Sequence, residues 1–258
     1  MIFECQESTK LQLTEFAKSD RHSIIIYGES GCGKTHMARQ YAQMLDISDF
    51  NVVSPTIGDL QETMGSLVES SNKTCICIEN LDLGMISVSY SILKFIEEPK
   101  SNIYIVITCR TLNNIPDTIL SRCVSVKINS PTKYDIITYC KTNRFEDYAR
   151  LKSHPVLSCI KSFSDVDIVM DMNADKLRYF EEIDIGFHDT VGNISYKLTH
   201  YADKSKTPLH IVLRWIYNKS TDMRLKSIIV TCLSELDEGR IADWCILDNA
   251  IFKCKYGI

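Results

Sequence analysis

The fold is set by Ser23-Ile24-Ile25-Ile26-Tyr27-Gly28-Glu29-Ser30-Gly31-Cys32-Gly33-Lys34-Thr35. A short β-branched run flows directly into a glycine-rich loop of the form G-x-x-x-x-G-K-T, and His36 to Met44 then carries helical spacing. Strand, loop and helix in that order are what such a loop needs in order to work. Glycines let successive backbone N–H groups turn inward around phosphate oxygens, while the helix presents its positive N-terminal end. Gly28, Glu29, Ser30, Gly31, Cys32, Gly33, Lys34 and Thr35 are therefore expected to bind a nucleoside triphosphate, ATP. Lys34 would reach the β- and γ-phosphates and Thr35 would ligate Mg2+.

Further apolar strands are predicted at Cys75 to Ile78 and Ile103 to Thr108, with helical patterns at Ile57 to Glu69 and Val88 to Glu98. This alternation indicates an α/β fold with a parallel sheet covered on both faces. A magnesium nucleotide site adds a carboxylate at the end of a neighbouring strand, because the ion takes hard oxygen ligands. Glu79, directly after Cys75-Ile76-Cys77-Ile78, fits that role or is a solvated strand-end acid. Cys75 and Cys77 lie on one face of their strand and read as buried small hydrophobes rather than metal ligands. After Pro131 the strand signals stop. Helical spacing continues at Tyr134 to Lys141, Val156 to Phe163, Asp165 to Met172, Leu209 to Tyr217, Leu225 to Leu236 and Ile241 to Phe252.

With 258 residues, 45% of them hydrophobic, the chain can bury a sizeable core. A net charge of -4 and a pI of about 5.9 argue against a chain that binds nucleic acid alone through a strongly basic face, so any DNA contact is expected to be local or shared with partners. The eleven cysteines are scattered, odd in number and preceded by no signal peptide, so they are expected to be reduced thiols of a cytoplasmic protein. No run approaches the length of a membrane span.

Two segments narrow the reading. Ser91-Ile92-Leu93-Lys94-Phe95-Ile96-Glu97-Glu98-Pro99 resembles the "LLKxLEEP" helix end of AAA+ sliding-clamp-loader ATPase subunits. Ile115-Pro116-Asp117-Thr118-Ile119-Leu120-Ser121-Arg122-Cys123 resembles their "IPxTILSRC" segment. Both stand at the family's spacing from each other and from the phosphate loop, and bacterial delta-prime and gamma/tau subunits are the most similar in pattern. The resemblance implies an AAA+ P-loop core over residues 1–130, a helical lid over 131–174 and an all-helical collar for oligomerisation over 175–258. It implies partners as well: other clamp-loader subunits in a circular hetero- or homo-oligomer, a sliding clamp, and primer-template DNA bound through the assembly. By residue type alone Arg122 is a surface charge. The resemblance makes it a finger that reaches in trans to a neighbour's ATP, where its fixed, always-charged fork suits charge spread over phosphoryl oxygens.

The chain also departs from the family. Counting back from Lys94 sets Glu79 at the magnesium-binding aspartate and Asn80 at the catalytic glutamate, and an amide cannot act as a base. Arg110 takes the sensor-1 position, usually Asn or Thr, as a γ-phosphate contact or a strand-end charge. Ser164-Asp165-Val166-Asp167 replaces a Gly-x-x-Arg sensor, and Asp167 would repel a phosphate. The four-cysteine zinc insertion of gamma/tau subunits is missing, as is any Lys or Arg in the stretch Asp59 to Ser66, which corresponds to a DNA-contacting helix of relatives. The expectation is an AAA+ ATPase with weak hydrolysis, coupling ATP to clamp loading. A stator-like subunit that binds nucleotide with little turnover, and another AAA+ replication protein such as a helicase loader, are the alternatives.

Overall fold

The computed structural model describes residues 3–238 apart from 20, 68–71, 85, 99, 184–192, 194–195, 199 and 203–206. The predicted helix over Ile241 to Phe252 and the end of the LEEP-like segment at Pro99 lie outside the described residues.

Three sequence runs become central strands for one reason: they are apolar on both faces, as parallel strands covered on both sides must be. These are β1 (Ser23–Tyr27), β3 (Thr74–Ile78) and β4 (Ile103–Cys109). Two shorter strands, β2 (Asp49–Val53) and β5 (Val124–Lys127), complete a five-stranded, all-parallel sheet in the order β2-β3-β4-β1-β5. The register sets Tyr27 beside Cys109 and Lys127, and Ile78 beside Ile107 and Val53, so the strands end together.

Side-chain alternation splits the core in two. Ile25, Ile76, Ile78, Ile105 and Ile107 pack with Leu60 of α3 (Ile57–Leu67) and with Val88, Ile92 and Ile96 of α4 (Ile86–Glu97). On the other face Ile24, Ile26, Cys75, Cys77 and Val106 pack with Leu13 of α1 (Glu4–Ala17) and with Met37, Ala38 and Tyr41 of α2 (Lys34–Met44). Cys75 and Cys77 are fully buried there and act as small hydrophobes, as their spacing predicts.

The chain divides into two compact units, Met1–Asp135 and Ile136–Ile258. In the second, all described elements are helical: α6 (Lys133–Asn143, starting in the first unit), α7 (Phe145–Leu151), α8 (Phe163–Met170), α9 (Ala174–Glu181), and the helices Leu209–Lys219 and Met223–Glu238. The stretches expected to form lid and collar share one apolar core, with Val166, Val169, Phe180, Val212, Leu213, Trp215 and Ile228 in a single cluster. Val156 to Phe163 is not one helix. Pro155 opens a 3₁₀ turn that ends at Cys159. Ser162 then caps α8, its side chain accepting from Asp165 N at 3.2 Å while Asp165 accepts from Ser162 N. A reciprocal capping box of this kind starts a helix and so divides the apolar pattern.

Candidate nucleotide site

The loop between β1 and α2 (Lys34–Met44) turns on two glycines in the left-handed region, Gly31 at φ 72° and Gly33 at φ 97°. That backbone would strain any other residue. Gly28 has a different need: a Cβ there would meet Ile128 O at 2.4 Å. The loop is braced from behind by α1, where Gln6 Nε2 donates to Cys32 O at 3.2 Å. Burial pushes the Cys32 thiol up in pKa, against the lowering pull of Lys34, so it sits in the loop as a neutral packing group.

Lys34 is 7% exposed and donates from Nζ to Gly28 O and Glu29 O, each at 2.9 Å. Its ammonium is thus held over the mouth of the loop by weak neutral acceptors, which an anionic oxygen would outcompete. Thr35 Oγ1 donates to Glu79 Oε1. This contact brings the hydroxyl at the start of α2 and the carboxylate just past β3 to one point, where two hard oxygens stand beside a phosphate cradle. Among the described residues no cluster of three or more His, Cys, Asp or Glu could hold a metal. A magnesium nucleotide fits the donor set that is present, because Mg2+ takes one or two protein oxygens and fills its shell with water and phosphate.

The rest of the strand-end row is polar. Asn80 stands in the left-handed region at φ 50°, and its N–H donates to Thr108 Oγ1 at 3.1 Å. Arg110 lies one residue beyond β4, next to the loop, since Gly28 N donates to Cys109 O at 3.2 Å. Its Nε is 3.3 Å from Asp82 Oδ2, with the two side chains 14% and 2% exposed. Arg110 is therefore not a solvated strand-end charge.

Arg122 follows the short helix α5 (Asp117–Leu120). Its Nη1 donates to Thr118 O at 2.8 Å and its Nη2 pairs with Glu97 Oε1 at 2.9 Å, both side chains being close to half exposed. The two family-like segments thus meet through this ion pair. Arg122 joins Glu97 and its own helix, whereas Glu79, Thr35 and Lys34 gather at the loop. At the sensor-like segment, Asp165 is buried in the capping box and Asp167 lies 3.6 Å from Arg144. Glu97 and Gln6 are partners that the sequence reading passed over, as is the pairing of Asp82 with Arg110. Glu97 was within reach of that reading, since it stands in the quoted Ser91 to Pro99 stretch.

The family of DNA polymerase III delta subunits matches residues 51–132, which hold β3, Glu79, Asn80, Arg110 and Arg122. By fold the chain is similar to a DNA polymerase III gamma subunit-related protein of Thermotoga maritima. That protein is 14% identical, with 95% of this chain and 98% of the other covered at a TM-score of 0.54. It is also similar to a point mutant of Thermotoga maritima RuvB, at 13% identity over 84% of this chain and 89% of the other, with a TM-score of 0.50. The chain thus has the AAA+ fold, and its likeness to polymerase III subunits lies in residues 51–132. Comparison with curated proteins by sequence finds no match. At these identities the solved structures speak for the AAA+ fold alone, while the family match falls on the half of the AAA+ core that carries the acidic strand and the arginines. Among the described residues no helix is long and apolar enough to cross a membrane.

Proposed function

We propose that this chain is an ATP-binding subunit of a DNA polymerase sliding-clamp loader, cytoplasmic and built into a circular oligomer. The observation that carries the nucleotide part is the Thr35–Glu79 hydrogen bond at the mouth of the loop. The family match across residues 51–132 supports the clamp-loader part. Residues Gly28 to Gly33 cradle the phosphates, Lys34 neutralises the β- and γ-oxygens, and Thr35 with Glu79 holds Mg2+, which when bound shields the phosphate charge. Arg122, exposed beyond α5, serves the ATP of a neighbouring subunit. Residues 1–130 act as the nucleotide core, 131–174 as the lid and 175–258 as the collar. The cycle couples ATP binding to clamp opening on primer-template DNA and hydrolysis to release.

Asn80 favours slow turnover, and a stator-like subunit that donates Arg122 while hydrolysing little is the second reading. An amide cannot take the proton of an attacking water. Steady-state ATPase of the assembled complex tests both. Asn80→Glu should raise turnover by at least about tenfold, within the range of general-base effects, and the gain should vanish with Arg122→Ala. A wild-type chain that hydrolyses ATP briskly as a dilute monomer would remove the trans role of Arg122.

A further inference from the structure

The loop from Gly28 to Thr35 carries one acid, Glu29. The carbonyl of that residue accepts from Lys34 Nζ at 2.9 Å, so the carboxylate belongs to a residue that the loop's ammonium touches. A carboxylate free to turn there would pair with Lys34 or stand against the charge of a bound phosphate. It is tied elsewhere. Glu29 Oε2 accepts from Ser130 Oγ at 2.5 Å, across 101 positions of sequence, and both residues are exposed. The hydroxyl arrives on a chain that runs beside the loop and is fixed on both sides of Ser130. Before it, Ile128 N donates to Tyr27 O at 2.8 Å, and a Cβ on Gly28 would meet Ile128 O at 2.4 Å. After it, Thr132 N and Oγ1 donate to Asp135 Oδ2 at 2.9 and 2.8 Å, and Glu4 N of α1 donates to Asp135 Oδ1 at 2.9 Å. Burial would raise the Asp135 carboxyl, but the bonds from Thr132 and Glu4 prevail and hold it below the usual carboxylate range. Pro131, between the two anchors, has its φ set by its ring.

We propose that Ser130 is a positioning residue for the phosphate loop: it holds the Glu29 carboxylate off Lys34 and off the bound phosphates, so that the loop meets a nucleotide with the charge of Lys34 undiminished. The proposal rests on the nucleotide-site reading above. A serine suits this task, because its hydroxyl donates one hydrogen bond to the carboxylate without bringing a charge of its own. The acid keeps its charge and is turned toward the connection between β5 and α6. Lys34 Nζ is left on two neutral carbonyls, Gly28 O and Glu29 O, which phosphate oxygens displace more readily than they would a carboxylate.

The test is calorimetric titration of the full chain with ATPγS and Mg2+. Ser130→Ala should weaken binding about fivefold, the scale of one charge near a protein surface, whereas Ser130→Thr keeps the hydroxyl and should bind like the wild type. In a Glu29→Gln background the loop has no carboxylate to misplace, and there Ser130→Ala should change the affinity less than about twofold, the signature of two residues acting as one unit. The penalty of Ser130→Ala should also shrink as salt rises from about 0.1 M to about 1 M, where the screening length falls from about 10 Å to about 3 Å. A merely structural role for Ser130 predicts the same loss with Glu29 or Gln at position 29 and at both salt concentrations, and that result would overturn the proposal. So would wild-type binding by Ser130→Ala, or a loss in Ser130→Thr as large as in Ser130→Ala. Lys34→Ala tells these failures from failure of the site: if it abolishes binding the nucleotide site stands without the role of Ser130, and undiminished binding would remove the site reading itself.

Discussion

Two buried carboxylates, one in each unit, are served very differently. Asp165, in the helical unit, accepts from Lys161 N at 2.9 Å, Ser162 N at 3.0 Å and Arg214 Nη1 at 2.7 Å, and its Oδ1 lies 2.9 Å from His210 Nε2. Burial alone would raise its pKa, but these bonds prevail and hold the carboxyl at about 2. Among the described residues Asp82, in the α/β unit, has a long contact to Arg110 on one oxygen and no hydrogen-bond partner on the other. A saturated polar group has spent its hydrogen-bonding capacity on the fold. An undersaturated one keeps capacity for something else, and Asp82 does so within the stretch where the family resemblance lies.

The contrast can be tested by substitution, beginning with the residue whose loss should matter most. Lys34→Ala should abolish Mg-ATP binding in a fluorescence or calorimetric titration while thermal unfolding stays near wild type, because the ammonium contacts only loop carbonyls within the fold. Asp165→Ala should do the converse. Removing the carboxylate strands the Arg214 guanidinium, 19% exposed, and should cost about 3–5 kcal/mol, the usual penalty for breaking a buried pair. Denaturant unfolding followed by tryptophan fluorescence reports it, as Trp215 is buried in the core of the second unit.

The same residue gives a pH signature. Its folded pKa lies below the ordinary 3.8, so its stabilising contribution is fully present above about pH 4 and is lost as pH falls through about 2. The amount is on the order of 2 kcal/mol. Asp165→Asn should flatten that acid limb, and an unchanged limb would assign the acid sensitivity to other carboxyls. The smallest effect belongs to Glu97. Its pair with Arg122 is close to half exposed on both sides and is worth under about 1 kcal/mol. Glu97→Gln should thus shift the ATPase of the assembled complex by less than about fivefold, far short of the loss from Arg122→Ala.

What the sequence made legible follows from how each element is stabilised. The strands Ser23–Tyr27, Thr74–Ile78 and Ile103–Cys109 are apolar on both faces apart from Ser23, Thr74 and Thr108 because they are covered on both sides, so composition alone marks them. The edge strands left no such mark. Asp49–Val53 alternates polar and apolar residues with most positions accessible, and Val124–Lys127 is four residues long with only Val126 buried, so pairing with a central strand is what makes both extended. The nucleotide loop was readable because its backbone requires glycine at fixed offsets. The contacts of Asp82 and Gln6 were not, since each is made only after the sheet is assembled. Arg110 shows the same limit: the residue type left it open between ligand contact and solvated charge, and the buried neighbour 28 positions earlier excludes the latter.

The described cysteines have a practical consequence of their own. All nine are buried, and in all but Cys232 burial raises the thiol pKa, to about 12 for Cys75 and about 11 for Cys140 and Cys159. Thiolate rather than thiol attacks an alkylating reagent, so the native protein protects all nine by exclusion and the eight with raised pKa by protonation as well. Each becomes reactive only when the structure around it opens. Time-resolved alkylation read out by peptide mass spectrometry would therefore clock the opening of the sheet at Cys75 and Cys77 and of the helical core at Cys159 and Cys232 separately, in one unmodified sample.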